Sequence, residues 1–447
     1  MAIKKDVNVA SSQTLRTGTE PNDTALFSAR WAAWMNGKRR GCGGVKRCLA
    51  VTTSMGVSEQ MITALTNAGR AFYAIVRGNS TALTKEELSQ TINFARITLI
   101  VGLVFLHYEW FPNARISPFR GLNPTQNQIA TFVQSFVLFF FFSVVPLLSM
   151  ISGWLFFSFL SDPASALLSR IRRRFTSLYL PLVFWNTLFL AILLALFYAA
   201  PQHPLLAQMN IDLKSADPMD YVNAVFGISA HPIGFQFWFV RDLFVTVLVS
   251  PLLWVLLIRA PLLGAVVLGG AWLTGHDLWI FFRTDVVFFF YIGGWIRLRG
   301  VPVEIGWRAT MVFLFAYVAL CAVRTLAPYV VGDSNPFVLQ VATRGMRLIG
   351  VLACWGMFQR AALTSMGGQV ARFGGLAFFL HAAHYPLIAE VKLILWELLP
   401  AETQPWMLVH YVASVAVTVT IGIGLGLVLT RCAPMLFALF NGGRVVA

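Results

Sequence analysis

Ten apolar windows of about 20 residues, the length that crosses a bilayer core as a helix, divide this sequence from residue 92 onward. They fall at about 92–111, 131–160, 175–200, 236–258, 261–276, 278–296, 308–327, 337–358, 373–396 and 405–430. Backbone groups in lipid must be satisfied within the segment itself, so such windows fold as helices. The predicted fold class is therefore all-α: a polytopic membrane helix bundle of about ten transmembrane helices. The second window is long and carries Pro146, which predicts a kink. The fifth is short and Gly-rich, with Gly264, Gly269, Gly270 and Gly275, and reads as partly re-entrant. The first follows Thr84-Lys-Glu-Glu87, which has the form of a helix capping box.

Lys and Arg set the orientation. The segment before the first window is basic. The connection after the second holds Arg170, Arg172, Arg173 and Arg174, and later connections on the same side hold Arg297, Arg299, Arg360 and Arg372. The long connection 201–235 has Lys214 alone as a fixed positive charge, and 397–404 is acidic. Both termini are thus expected in the cytoplasm, in agreement with an even number of spans. Only 12% of residues are charged, against about 25% in soluble domains. The net charge of +15 marks a membrane face. Aromatic residues do not interleave with the basic runs, so nucleic acid is excluded as a partner.

Three regions follow. Residues 1–88 read as a cytoplasmic, largely disordered extension with a short helix around Met61–Val76. Residues 89–435 form the transmembrane domain, and 436–447 a cytoplasmic tail. Cys42 and Cys48 are poorly spaced for zinc, and Cys321, Cys354 and Cys432 lie in apolar segments. No disulfide, metal or bound cofactor is expected.

Ionisable residues in lipid are costly and point to function. Arg96 and His107 are eleven residues apart on the first window. At ~100° and ~1.5 Å per residue they share one helix face about 16 Å apart. His107 titrates near neutrality in water and suits general acid or base work; a core histidine hydrogen-bonded between helices is the plain alternative. Arg170, Arg173 and Arg174 offer planar donors to a phosphate, although topology alone also places arginines there. Trp238, Arg241 and Asp242 join belt aromatics to an adjacent charge pair. Neighbours on a helix do not face each other, so Arg241 and Asp242 are expected to find different partners. Arg344 and Arg347 share one face and call for an anion or for carboxylates such as Asp242 and Asp285. His381 and His384 are one turn apart without a third metal ligand, which favours packing or hydrogen bonding.

Together these landmarks resemble the membrane acyltransferase 3 family of bacteria. The resemblance rests on Arg96 and His107, Met150-Ile-Ser152-Gly153-Trp154, Leu178-Tyr-Leu-Pro181-Leu-Val-Phe184-Trp185, Gln236-Phe-Trp238-Phe-Val-Arg241-Asp-Leu and Phe379-Leu-His381-Ala-Ala-His384-Tyr-Pro386. It covers about 90–435. It implies a multi-pass enzyme of the bacterial cytoplasmic (inner) membrane, moving an acyl group, usually acetyl from acetyl-CoA, to a carbohydrate hydroxyl. Arg96 and His107 would be catalytic, with His107 as base or acyl acceptor. Arg170, Arg173 and Arg174 would bind acyl-CoA. Trp238, Arg241, Asp242, Arg344, Arg347 and His384 would bind the acceptor, a surface polysaccharide or lipid-linked sugar. The chain departs from the family by its long N-terminal extension, and the esterase-like domain that some relatives append is not expected here. Two readings compete: a transporter or flippase of an anionic lipid-linked sugar, and a non-catalytic component of polysaccharide assembly.

Overall fold

The computed structural model describes residues 74–444 apart from 79, 115, 159–162, 332–335 and 400. Most of the predicted extension lies outside the described residues, as do Cys42 and Cys48. The described residues are helical, with no strand among them.

The first window becomes α1, Lys85–His107. Thr84 Oγ1 accepts from Glu87 N at 3.1 Å and Glu87 Oε2 accepts from Thr84 N at 2.8 Å, so the expected capping box forms. The second window is split into α2, Gln128–Phe141, and α3, Val144–Phe156. Pro146 has no N–H to offer the carbonyl one turn back. Around this break the buried Tyr317 hydroxyl contacts Phe140 O and Ser143 Oγ, each at 2.6 Å. Next come α4, Pro163–Arg174, a π-helical turn at Phe175–Tyr179, and α5, Leu180–Ala199. Two short helices, α6 (Pro204–Gln208) and α7 (Pro218–Phe226), fill the long connection.

The fourth window is bent by 60° between α8, Phe237–Leu248, and α9, Ser250–Arg259. The fifth and sixth give α10, Pro261–Thr274, and α11, Asp285–Leu298, of 14 residues each. At ~1.5 Å per residue each is about 21 Å long, short of a ~30 Å hydrocarbon core. The sixth starts late for a local reason: Asp242 accepts the amides of Phe282 (3.2 Å) and Arg283 (2.8 Å), which holds 278–284 as a loop. The remaining helices are α12 (Trp307–Val331), α13 (Pro336–Ala361), α14 (Ser365–Ala371), a 3-10 segment Arg372–Leu376, α15 (Ala377–Leu398), α16 (Gln404–Cys432) and α17 (Pro434–Phe440). Among the described residues seven helical stretches, some of them joining adjacent helices, are long and apolar enough to cross a membrane, and the bent pair makes an eighth candidate.

The tightest helix pair is α3 with α11. A Cβ on Gly153 would lie 2.0 Å from Phe290 O, and one on Gly293 would lie 2.0 Å from Met150 O. Close backbone approach of this kind needs small residues, which accounts for the Ser-Gly signature at 152–153. α1 is surrounded by α2, α14, the 3-10 segment, α15 and α16. Gly374 presses directly on Asn93, where a Cβ would meet backbone at 2.9 Å. The tail is folded back rather than trailing. Trp185 Nε1 donates to Phe440 O at 3.0 Å, and Asn441 Nδ2 donates to Gly375 O at 2.9 Å.

Candidate active site

α1 carries the site at its midpoint, Arg96, and at its C-terminal end, His107. At its C-terminal end His107 is half-buried and meets His384 across 277 residues of sequence, Nδ1 to Nε2 at 2.7 Å. The two ring planes are 12° apart, with centroids at 4.9 Å, so the rings meet edge to edge. His384 is fully buried. Its own Nδ1 lies 3.1 Å from Leu380 O. A carbonyl only accepts, so in the neutral pair His384 Nδ1 carries the proton and Nε2 is an acceptor. His107 Nδ1 must then be the donor between them. This leaves His107 Nε2 with its lone pair bare. Phe235 and Tyr385 stand edge-on to the His107 ring, each at 6.0 Å.

The place of His384 is set by a break in α15. Tyr385 has non-helical angles (φ −120, ψ 131) before Pro386. Pro386 has no N–H for Ala382 O. The buried Gln236 amide supplies one, donating to Ala382 O at 2.7 Å and to Tyr385 O at 2.9 Å. The end of α1 is pinned just beyond His107. His410 Nε2 faces Lys392 O at 3.1 Å, so it holds the proton, and the Tyr108 hydroxyl donates to His410 Nδ1 at 2.9 Å. Lys392 Nζ closes the ring on Tyr108 O at 3.2 Å.

At the other end of the site Arg96, Arg174 and Arg444 gather from α1, α4 and the tail. Arg96 and Arg174 make no hydrogen bond or ion pair among the described residues. Arg444 donates to Ser177 O (3.1 Å) and Asn441 O (2.7 Å) and covers the Phe378 ring at 4.3 Å. Burial, with the positive charges of Arg174 and Arg96, pushes the Arg444 guanidinium below its ordinary range. From Phe378 a line of rings on α15 leads toward His107: Phe378 to His381 at 6.4 Å, His381 to His384 at 5.7 Å. His381 is buried, and neither ring nitrogen has a hydrogen-bond partner among the described residues. No group of three or more His, Cys, Asp or Glu among the described residues could hold a metal.

The other expected site residues are dispersed. Arg170 Nη1 donates to Leu155 O at 2.8 Å and to Phe156 O, and Nη2 to Ser158 O at 3.2 Å, which caps the end of α3. Arg173 is exposed and lies 3.4 Å from Ser169 Oγ. Arg241 and Asp242, expected to find different partners, pair with each other at 2.9 Å. The long Arg241 side chain turns back along the first turn of α8, where it also binds Gly227 O, Ile228 O and Ile280 O. Trp238 is buried under Arg283, whose guanidinium is 4.6 Å from its ring. Arg347 pairs with Asp285 at 3.2 Å, and Arg344 Nη1 donates to Leu273 O at 3.0 Å. Sequence reasoning missed Gln236, Tyr385 and Arg444. Pro386 inside an apolar window was the available signal for Gln236, because a carbonyl freed in a buried helix demands a donor.

A family model described as an acyltransferase domain matches residues 90–427. The succinoglycan biosynthesis protein ExoH of Rhizobium meliloti (strain 1021) is 27% identical over 361 residues, 80% of this chain and 94% of that protein. No solved structure matches.

Proposed function

Since this chain belongs to the acyltransferase family matched over residues 90–427, and is an acyltransferase, we propose that it moves an acyl group, acetyl in the simplest case, from acyl-CoA to a hydroxyl of a polysaccharide or lipid-linked sugar. The name of the similar protein, a succinoglycan biosynthesis protein, supports a polysaccharide as acceptor. We place the enzyme in the bacterial inner membrane with ten crossings and both termini cytoplasmic. Arg96, Arg174 and Arg444 then face the cytoplasm and hold the nucleotide phosphates of the donor, with Arg173 nearby at the mouth. The thioester arm follows the Phe378–His381–His384 line to His107.

The bare Nε2 of His107 carries this reading. It takes the proton of the acceptor hydroxyl while the oxygen attacks the thioester carbonyl. The C–S bond breaks, and the leaving CoA sulfur receives the proton from Nε2. His384 acts as a positioning residue: it fixes the tautomer of His107 and keeps accepting the hydrogen bond from Nδ1–H as positive charge develops on the ring. The same Nε2 lone pair would serve as nucleophile in a two-step transfer through an acyl-histidine, which a single-turnover experiment with labelled donor separates by trapping labelled protein.

His107→Ala should abolish glycan acylation at unchanged membrane content. His384→Ala should lower kcat by about 10²-fold, the lower range for acid–base assistance, and flatten the pH profile of kcat. Full activity of His107→Ala in purified protein would overturn the assignment.

A further inference from the structure

A chamber of about 950 Å³ opens at the same end of the bundle as His107 but does not include it. The loop after α1 roofs it: Leu122 N donates to Thr325 O at 2.9 Å, and Arg324 Nη2 donates to Phe119 O at 3.2 Å. Arg283, Arg324, Arg344 and Arg347 line it, and the one buried carboxylate among them is Asp285. A single oxygen of Asp285 serves both Arg283 (2.9 Å) and Arg347 (3.2 Å), so these guanidinium groups are only partly neutralised. Arg347 Nε is buried without a hydrogen-bond partner. Converging cations of this kind, in a cavity of the size that takes a small ligand, suit a carboxylate or phosphate.

The chamber connects to His107 through rings. Phe282 lines it and lies 4.3 Å from His231; His231 lies 5.4 Å from Phe235; Phe235 lies 6.0 Å from His107. Burial, then the charges of Arg241 and Arg283, holds His231 below the ordinary histidine range. That shift favours the neutral ring, and His231 continues the aromatic strip between Phe282 and Phe235. Phe235 is 39% exposed, open to the apolar face of a sugar ring.

We infer that the chamber binds an acidic substituent, carboxylate or phosphate, of the carbohydrate acceptor, and that the Phe282–His231–Phe235 strip carries a short stretch of sugar from it to His107. This rests on the reading of His107 as the transfer centre and names the class of acceptor. An acceptor anchored at its charge would present its hydroxyl at a fixed remove, which selects the position acylated.

The test uses the purified full-length protein, a glucuronic-acid oligosaccharide and its carboxyl-reduced counterpart, with equilibrium binding measured apart from turnover. The acidic form should bind at least about tenfold more tightly, the effect of one good charged contact. Arg283→Gln and Arg344→Gln should each remove most of that preference, and Arg344→Lys should restore part of it. Displacement by inorganic diphosphate more readily than by glucuronate would place the charge on a phosphate, the reverse on a sugar acid. Equal binding of the acidic and reduced probes, binding of neither probe nor diphosphate, or displacement only by phosphatidylglycerol vesicles would overturn the inference. Charge-selective binding without any acyl transfer would sink the transferase mechanism alone; transfer without charge selectivity would sink this site alone.

Discussion

At one end of the site Arg96, Arg174 and Arg444 stand together without an ion pair among the described residues. At the other, Arg283 and Arg347 share Asp285, and Arg241 holds Asp242 at 2.9 Å. Both ends concentrate arginine, yet their energetics differ. A buried cation beside a carboxylate is part of the scaffold, because removing either partner strands the other. Cations beside one another repel, and the fold gains nothing by keeping them close. The first cluster therefore points to a polyanionic ligand that supplies the missing charge. The second is a largely self-satisfied frame with a residual positive potential, suited to selecting a singly charged group.

The largest expected effect tests the scaffold half of that contrast. Asp285→Asn leaves Arg347 buried and unpaired and should destabilise the protein by about 3–5 kcal/mol, read as a lower midpoint of detergent-solubilised unfolding. Arg96→Gln should leave that midpoint unchanged or raise it, since it removes repulsion and no bond. Equal losses in the two variants would erase the distinction between the two ends.

Next in size are the ligand effects at the unpaired end. Arg96→Gln, Arg174→Gln and Arg444→Gln should each raise KM for acyl-CoA by about tenfold or more, the worth of a charge-assisted hydrogen bond of about 1.5–3 kcal/mol. With acyl-pantetheine, which lacks the nucleotide phosphates, the three variants should match the parent. A KM defect that persists with acyl-pantetheine would mean that these arginines shape the channel rather than hold phosphate.

The contrast also marks how much the sequence could tell. Apolar windows report helices, and helical period reports which residues share a face, so α1 with Arg96 and His107 was legible in full, cap included. Period says nothing about which helices pack. His384 was visible as a residue but not as the partner of His107, because the contact spans 277 positions. Arg444 was read as part of a tail; only the backbone contacts of Asn441 and Phe440 bring it under Phe378. Adjacent Arg241 and Asp242 were expected to part, and the reach of an arginine side chain at the start of a helix defeated that rule. The shortness of α11 was hidden for a related reason: residues 278–284 are apolar enough to look like a span, while distant Asp242 holds their amides in a loop.

The smallest effects separate the neighbours within Arg170–Arg174. Arg170 is oriented toward protein, not ligand: its guanidinium satisfies carbonyls at the end of α3, which the helix itself leaves unpaired. Arg170→Ala should cost about 1–3 kcal/mol of stability and change KM for acyl-CoA little. Arg173 is exposed, and its contact with Ser169 is long at 3.4 Å. Solvent screens such a charge, so Arg173→Ala should leave stability within about 0.5 kcal/mol and raise KM less than twofold at physiological salt. Lowering the ionic strength should enlarge the Arg173 effect, because a longer Debye length lets an exposed cation steer an anionic donor. It should leave the Arg174 effect nearly constant, because a partly buried contact is screened less. Equal salt dependence at Arg173 and Arg174 would show that both merely attract the donor, and that the phosphate contact is made elsewhere.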